Sequence, residues 1–350
     1  MPSISLAVMV RDEAVRLKRC LESARDAVDE VVVLDTGSKD DTVAVAKSLG
    51  ARVSEMEWPG SFSTAFNVLL DEVRTDWVLR LDSDEWFGDD PKNALQESIN
   101  HPEHYGYKLQ MRDMLQTGGY REFSIFRIWR THPLMRYRGA VHENIPNEAI
   151  AQAFPGLTIG ELPIWVWHDG YATGVSKAKR NLELIEKELE TSPEQPYYQA
   201  MRALMYRDSS DPRSKQLLNE LVDRSVKDDA PSTRLLASVF IAYLTDATDR
   251  DMCAEKIGAV LQRAWQWFGD YPGVVWAIGT AELKRRNPQE ALRAYLRLEQ
   301  LAETGKYERS IPFNTSILGP SLWHGLGFVA QQLGRNDIAE RCMNRLMQAS

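Results

Sequence analysis

The run Trp77-Val78-Leu79-Arg80-Leu81-Asp82-Ser83-Asp84-Glu85 decides the fold of the N-terminal half. Its apolar part has the length of a buried strand, and the acidic residues lie just past that strand's carboxyl end. Val31-Val32-Val33-Leu34 is a second such run, β-branched and short enough to be buried on both faces. It leads into Asp35-Thr36-Gly37-Ser38-Lys39-Asp40-Asp41, a turn cluster in which Ser38 or Asp40 can cap a helix that should end near Gly50. Ile4 to Val10 reads as the first strand, and after Arg11-Asp12-Glu13 the residues Ala14, Leu17, Leu21 and Ala24 fall on one helical face. With Ala51-Arg52-Val53 as a further strand, the alternation predicts an α/β fold with a mostly parallel, Rossmann-like sheet and right-handed crossovers. Ligands of such sheets bind beyond the carboxyl ends of the strands. Asp35 and Asp82-Ser83-Asp84 both sit there.

Downstream the pattern changes. Residues 105–111, 123–130 and 162–167 read as strands that complete the sheet with antiparallel edges, separated by Gly118-Gly119 and by Arg136-Tyr137-Arg138-Gly139. A helix over 175–189 leads to Ser192-Pro193-Glu194-Gln195-Pro196, a linker composition, and everything beyond reads as helix. Ile278-Gly279, Ala291 and Tyr295 recur with the mutual spacing of Leu326-Gly327, Ala339 and Met343. Residues 327–334 fit the first helix and turn of a tetratricopeptide unit, with Trp323 as its opening aromatic, provided an insertion lies between Gly305 and Gly319. The expected division is a catalytic domain over 1–190 and a tetratricopeptide-like helical domain over 191–350.

Composition narrows the partners. A formal net charge of −8 disfavours nucleic acid, whose phosphates require a basic surface. No apolar run approaches the roughly 18 to 20 residues that span a bilayer, and the start lacks the basic region of a signal peptide. Cys20, Cys253 and Cys342 are too scattered for a disulfide framework or a zinc cluster. Together these features point to the cytoplasm.

The chemistry centres on Asp82 and Asp84. Two carboxylates one residue apart at a strand end can face one hard cation, which in turn can bridge two phosphate oxygens. Asp-x-Asp triplets are common in solvated loops, so the weight lies in this one's place after a buried strand.

Ile4 to Glu13, Val31 to Thr42 and Trp77 to Glu85 resemble the corresponding segments of family 2 inverting glycosyltransferases of the GT-A fold. Within that family the chain is similar to the branch with C-terminal tetratricopeptide-like helices, which includes the sublancin-type peptide S-glycosyltransferases. The resemblance implies a nucleotide-sugar donor, a uridine diphosphate sugar, and Mn²⁺ or Mg²⁺. It places Asp35 at the base or ribose of the donor, with Arg11 and Glu13 near it. Asn67 matches a helix-borne Asn of the family, although Phe66 replaces the usual preceding Arg. Asp82 would reach the ribose or a metal-bound water, and Asp84 would bind the metal directly. Gly139-Ala140-Val141-His142-Glu143 resembles the segment facing the acceptor, which makes Glu143 the expected general base, with Asp113 next in line. Trp167-His168-Asp169-Gly170-Tyr171 matches a His-Gly-Tyr element, and His168 becomes a further metal ligand. Either histidine would otherwise read as a buried structural residue, and Arg180-Asn181 as a solvated helix face.

These roles imply single-displacement transfer with inversion. A thiol acceptor would need less help from Glu143 than a hydroxyl. Peptide, glycan and lipid-linked saccharide acceptors all remain open. A sugar nucleotidyltransferase would want a glycine-rich loop after the first strand, and Val10 to Ala14 contains no Gly. An inactive, sugar-nucleotide-binding adaptor built on the helical repeats is the other alternative, against which the intact Asp82, Asp84, Glu143 and His168 argue. Self-association through the helices is a further expectation, carried by the stripe Ile338, Cys342, Met343 and Leu346 or by Trp265-Gln266-Trp267-Phe268.

Overall fold

The computed structural model describes residues 2–115, 119–169, 175–230, 235–247 and 256–349. Gly118, Gly170, Tyr171 and Cys253 lie outside the described residues. The chain forms two compact units, Met1–Leu184 and Ile185–Ser350.

The first unit is built on β1 (Ile4–Val10), β2 (Glu30–Asp35), β3 (Arg52–Glu55) and β4 (Trp77–Arg80), in the order β3-β2-β1-β4 and parallel throughout. β1 lies between β2 and β4, so apolar side chains on both of its faces are covered. Ile4, Leu6, Val8 and Val10 pack with Leu17, Cys20, Leu21 and Ala24 of α1 (Ala14–Ala24) and with Ala46 of α2 (Thr42–Ser48). On the other face Ala7, Val32, Leu34 and Val78 pack with Ala65, Phe66, Leu69 and Leu70 of α3 (Phe62–Asp71). Each fully buried aliphatic side chain contributes roughly 1.5–3 kcal/mol relative to exposure. The chain moves outward from β1 to β3 and then returns to β4 on the other side, which makes the carboxyl ends of β1 and β4 the topological switch point.

Beyond β4 the sheet is mixed, so the expected parallel character belongs to its first four strands. The order continues through β7 (Tyr120–Arg130), β6 (His104–Met114), β8 (Thr158–His168) and β5 (Glu85–Phe87). β4 pairs antiparallel with β7, β7 with β6 and β8 with β5, whereas β6 and β8 run parallel. The strands run longer than the sequence pattern indicates, because polar Arg112, Asp113 and Arg121 continue the ladder. α4 (Lys92–Ser98), α5 (Asn147–Ala153) and α6 (Val175–Thr191) complete the helices up to the second unit. α2 is preceded by Asp40, whose carboxylate accepts from the Thr42 N–H at 3.0 Å, while Gly50 follows it at φ 81°.

The second unit stacks helical hairpins. α7 (Pro196–Asp208) pairs with α8 (Arg213–Asp228), α11 (Pro272–Lys284) with α12 (Pro288–Thr304), and α13 (Pro320–Gln332) with α14 (Asn336–Ala349), with α9 (Leu236–Asp246) and α10 (Lys256–Phe268) between the first two hairpins in sequence. The three turns are alike. Ser210, Arg286 and Gly334 adopt the left-handed conformation, at φ 57°, 59° and 69°. The next residue's N–H then reaches back to the helix, from Asp211 to Tyr206 O, Asn287 to Glu282 O and Arg335 to Ala330 O, at 2.8–2.9 Å. This is the Schellman closure. The proposed repeat is therefore real in three dimensions, and residues 305–319 form the connecting insertion between its two copies.

Gly279 and Gly327 sit where the helices of a hairpin meet: a Cβ on Gly279 would lie 2.6 Å from Tyr295 Cε1, and one on Gly327 3.3 Å from Cys342 Cβ. Trp267 and Phe268 pack edge-on against Phe240 in the helical core, with Trp265 and Trp267 partly buried. Of the C-terminal stripe, Ile338 and Cys342 are buried while Met343 is exposed. No helix among the described residues is long and apolar enough to cross a membrane.

Gly279→Val should lower the unfolding free energy by about 1–3 kcal/mol through overpacking against Tyr295. Arg286→Gly should raise it by roughly 1 kcal/mol by relieving the left-handed strain. Urea denaturation of the full chain reads both, and opposite signs are the expected result.

Candidate active site

The loops after β1 and β2 are laced together through side-chain bonds. Asp12, in the left-handed region at φ 52°, donates its N–H to Ser38 Oγ at 2.8 Å and accepts from the Lys39 N–H at 2.6 Å. Glu13 donates its N–H to Thr42 Oγ1 at 3.0 Å, and its carboxylate pairs with Arg16 at 3.1 Å. Asp35 is buried, and its carboxylate accepts from the N–H groups of Gly37 and Ser38 at 3.0 and 2.9 Å and from the Ser38 hydroxyl. Arg11 projects half-exposed from the end of β1, 3.7 Å from Asp12. Asp35 thus shapes the rim from within, and Arg11 stands on it.

Asn67 is engaged by backbone. Its amide donates to Tyr137 O at 3.0 Å and accepts from the Tyr137 N–H at 2.9 Å, clamping the 135–145 segment onto α3. The Phe62 N–H adds a bond to Ala140 O at 2.8 Å. This segment turns sharply at His142, whose φ is 52°, and so carries Glu143 back towards the end of β4.

There the structure joins the predicted carboxylates through arginines that sequence reading did not single out. Arg80 Nη2 lies 2.7 Å from Glu143 Oε1 and 3.2 Å from Asp82 Oδ1. Arg127 Nη2 takes the other Asp82 oxygen at 2.9 Å and also pairs with Glu85. Glu143, Arg80, Asp82, Arg127 and Glu85 therefore form one chain of alternating charge. Partial desolvation opposes ionisation of the half-exposed Asp82, but Arg127 and Arg80 hold its carboxyl below the ordinary value. Glu85 is pushed up to about 7 by burial, against the pull of Arg127. A signal for both arginines was present: each interrupts an apolar strand, Val78-Leu79-Arg80-Leu81 and Phe126-Arg127-Ile128-Trp129, and a cation in such a run requires a buried partner.

Strand register builds the second half of the site. β5 places Glu85 opposite His168, and β6 places Asp113 opposite the same histidine. His168 Nδ1 is 3.0 Å from Asp113 Oδ1, and its Nε2 is 3.5 Å from Asp84 Oδ2. Burial disfavours its charged form, but the bonds to Asp113 and Asp84 prevail and push it up to about 10. Asp113 is 1% exposed and also takes Arg121, at 3.0 Å from Nε, so it orients His168 and is not placed to meet an acceptor. Below the Asp82–Asp84 loop, the buried Cys20 thiol donates to Asp82 O at 3.5 Å.

Comparison with known proteins identifies the domain. Residues 5–149 match the model of glycosyl transferase family 2. It is 34% identical over 194 residues to a TPR repeat-containing protein of Synechococcus elongatus, an alignment covering 55% of this chain and 48% of the relative. It is 26% identical over 202 residues to the SPbeta prophage-derived glycosyltransferase SunS of Bacillus subtilis, covering 56% and 47%. The chain thus spans about half the length of these curated relatives. Among solved structures it is similar to glucosyl-3-phosphoglycerate synthase of Mycobacterium tuberculosis in complex with Mn²⁺, uridine diphosphate and phosphoglyceric acid, at 14% identity and a TM-score of 0.41, covering 54% of this chain and 78% of that one.

Removing one partner of a buried ion pair costs about 3–5 kcal/mol, because the other charge is stranded. Arg127→Met should accordingly destabilise the chain by that amount in urea. Adding Glu85→Leu should recover part of the loss.

Proposed function

We propose that the chain transfers a sugar from a uridine diphosphate donor to an acceptor nucleophile by a single, inverting displacement assisted by a divalent cation. The observation that carries this reading is the convergence of Asp84 with His168, and of Asp82 with Glu143 through Arg80, at the strand ends of a family 2 domain. Arg11 and Asp35 are assigned to the nucleoside end of the donor, with Glu13 and Asn67 fixing the loops around it. The Asp82 side chain is 38% exposed, enough to reach the ribose while both arginines hold it.

Asp84 Oδ2 and His168 Nε2, 3.5 Å apart, are the side-chain atoms that would hold Mn²⁺ or Mg²⁺ once the cation displaces the proton that Nε2 carries towards Asp84. Such a cation supplies Lewis-acid neutralisation of the charge that builds on the departing diphosphate. Asp113 presents His168 with Nε2 towards Asp84, and Arg80 holds one oxygen of Glu143. Glu143 takes the proton of the acceptor as its nucleophile bonds to the anomeric carbon and the diphosphate leaves from the opposite face. A positioned base of this kind contributes about 10²–10⁴-fold.

The test uses thermal shift with uridine diphosphate, with and without Mn²⁺, and hydrolysis of uridine diphosphate sugars, in which water is the acceptor. Asp84→Ala should abolish the Mn²⁺-dependent part of the shift, since a ligand stabilises only the state that binds it. Glu143→Gln should lower turnover by about two to four decades with donor affinity little changed. Full metal-dependent binding in Asp84→Ala would remove the metal assignment, and full turnover in Glu143→Gln would remove the base.

A further inference from the structure

Arg80 is a cation in the most buried part of the sheet. Its strand neighbours Val78, Leu79 and Leu81 are at most 1% exposed, yet the side chain emerges at the carboxyl end, where the acidic residues gather. Four groups fix it. Its guanidinium stacks 3.6 Å from the Phe66 ring and 5.0 Å from that of Tyr137, and the Tyr137 hydroxyl is hydrogen-bonded to it. Asp82 and Glu143 take the same nitrogen, Nη2. Burial disfavours its charge, but Tyr137, Asp82 and Glu143 outweigh that and keep it cationic. The supports are themselves held, since Asn67, beside Phe66 on α3, grips both backbone groups of Tyr137.

From this geometry we infer that Arg80 is a positioning residue that sets the orientation of Glu143 and ties it to Asp82 on the donor side. The inference rests on the reading of Glu143 as the proton acceptor. A glutamate side chain free to rotate loses rotamer entropy when it is ordered. The bond to Arg80 orders it before any acceptor arrives. The pair engages Oε1, which leaves Oε2 as the oxygen that Arg80 does not hold. The Glu143 side chain is only 9% exposed. Lysine is a poor replacement, because its compact ammonium cannot stack on Phe66 as the planar guanidinium does.

The experiment compares Arg80→Met, Arg80→Lys, Glu143→Gln and the double variant Arg80→Met/Glu143→Gln in the full chain. It measures kcat and KM for hydrolysis of the uridine diphosphate sugar, together with melting temperature and uridine diphosphate affinity. Arg80→Met should lower kcat by about tenfold or more while KM and nucleotide affinity stay within about threefold. The double variant should be no slower than Glu143→Gln alone, because residues that act through one group do not add. Arg80→Lys should fall between wild type and Arg80→Met, and it carries the same double-variant comparison if the methionine variant does not fold. A folded Arg80→Met with wild-type kcat overturns the inference. Losses in Arg80→Met and Glu143→Gln that multiply in the double variant overturn it while leaving the base assignment standing. Wild-type turnover in Glu143→Gln overturns the base assignment and this inference with it.

Discussion

Asp82 held between two buried guanidiniums sets the terms for everything at the carboxyl end of the sheet. An isolated charge in that position would be expensive to bury, and a lone ion pair would barely offset its own desolvation. Extending the pair into Glu143-Arg80-Asp82-Arg127-Glu85 gives each charge an opposite neighbour, so the acidic residues can collect at the switch point without driving one another apart. Asp84 faces His168 at 3.5 Å, with Asp113 and Arg121 behind the histidine.

The helical unit follows a different logic. Its hairpins are closed by backbone bonds and filled by tight approach of small residues to rings, with Gly279 against Tyr295 as the closest example. The same turn is made by Ser, Arg and Gly in three places, at φ values within a narrow range. Glycine is the unstrained choice there, yet packing on either side enforces the conformation regardless of residue. The repeat is therefore more regular in space than in sequence.

That contrast also explains what could be read beforehand. Apolar runs and turn residues located β1, β2 and β4 and the acidic triplet at their ends, because local composition controls burial of a central parallel strand. Gly334 marked one hairpin, whereas Ser210 and Arg286 hid the same turn behind ordinary residues. Within the site, His168 Nε2 lies 3.5 Å from Asp84, and Glu143 pairs with Arg80 at the end of β4, contacts that depend on strand register and on the turn at His142. The roles of Asn67 and Asp113 emerged only from the structure, since both depend on partners far away in sequence: the Tyr137 backbone for one, His168 and Arg121 for the other. Mixed pairing beyond β4 was equally out of reach, because no local pattern says that β8 will lie between β6 and β5.

The position of β8 has a consequence for the order in which the molecule assembles. β5 has β8 as its strand neighbour, so Glu85–Phe87 cannot join the sheet until Thr158–His168 has docked beside β6. Contacts so distant along the chain form slowly, after local ones. The helical hairpins, closed by turns of a few residues, carry no such delay. The closeness of Asp84 to His168 therefore depends on the strand pairing of Glu85 with His168, residues far apart in the sequence, and not on local chain geometry.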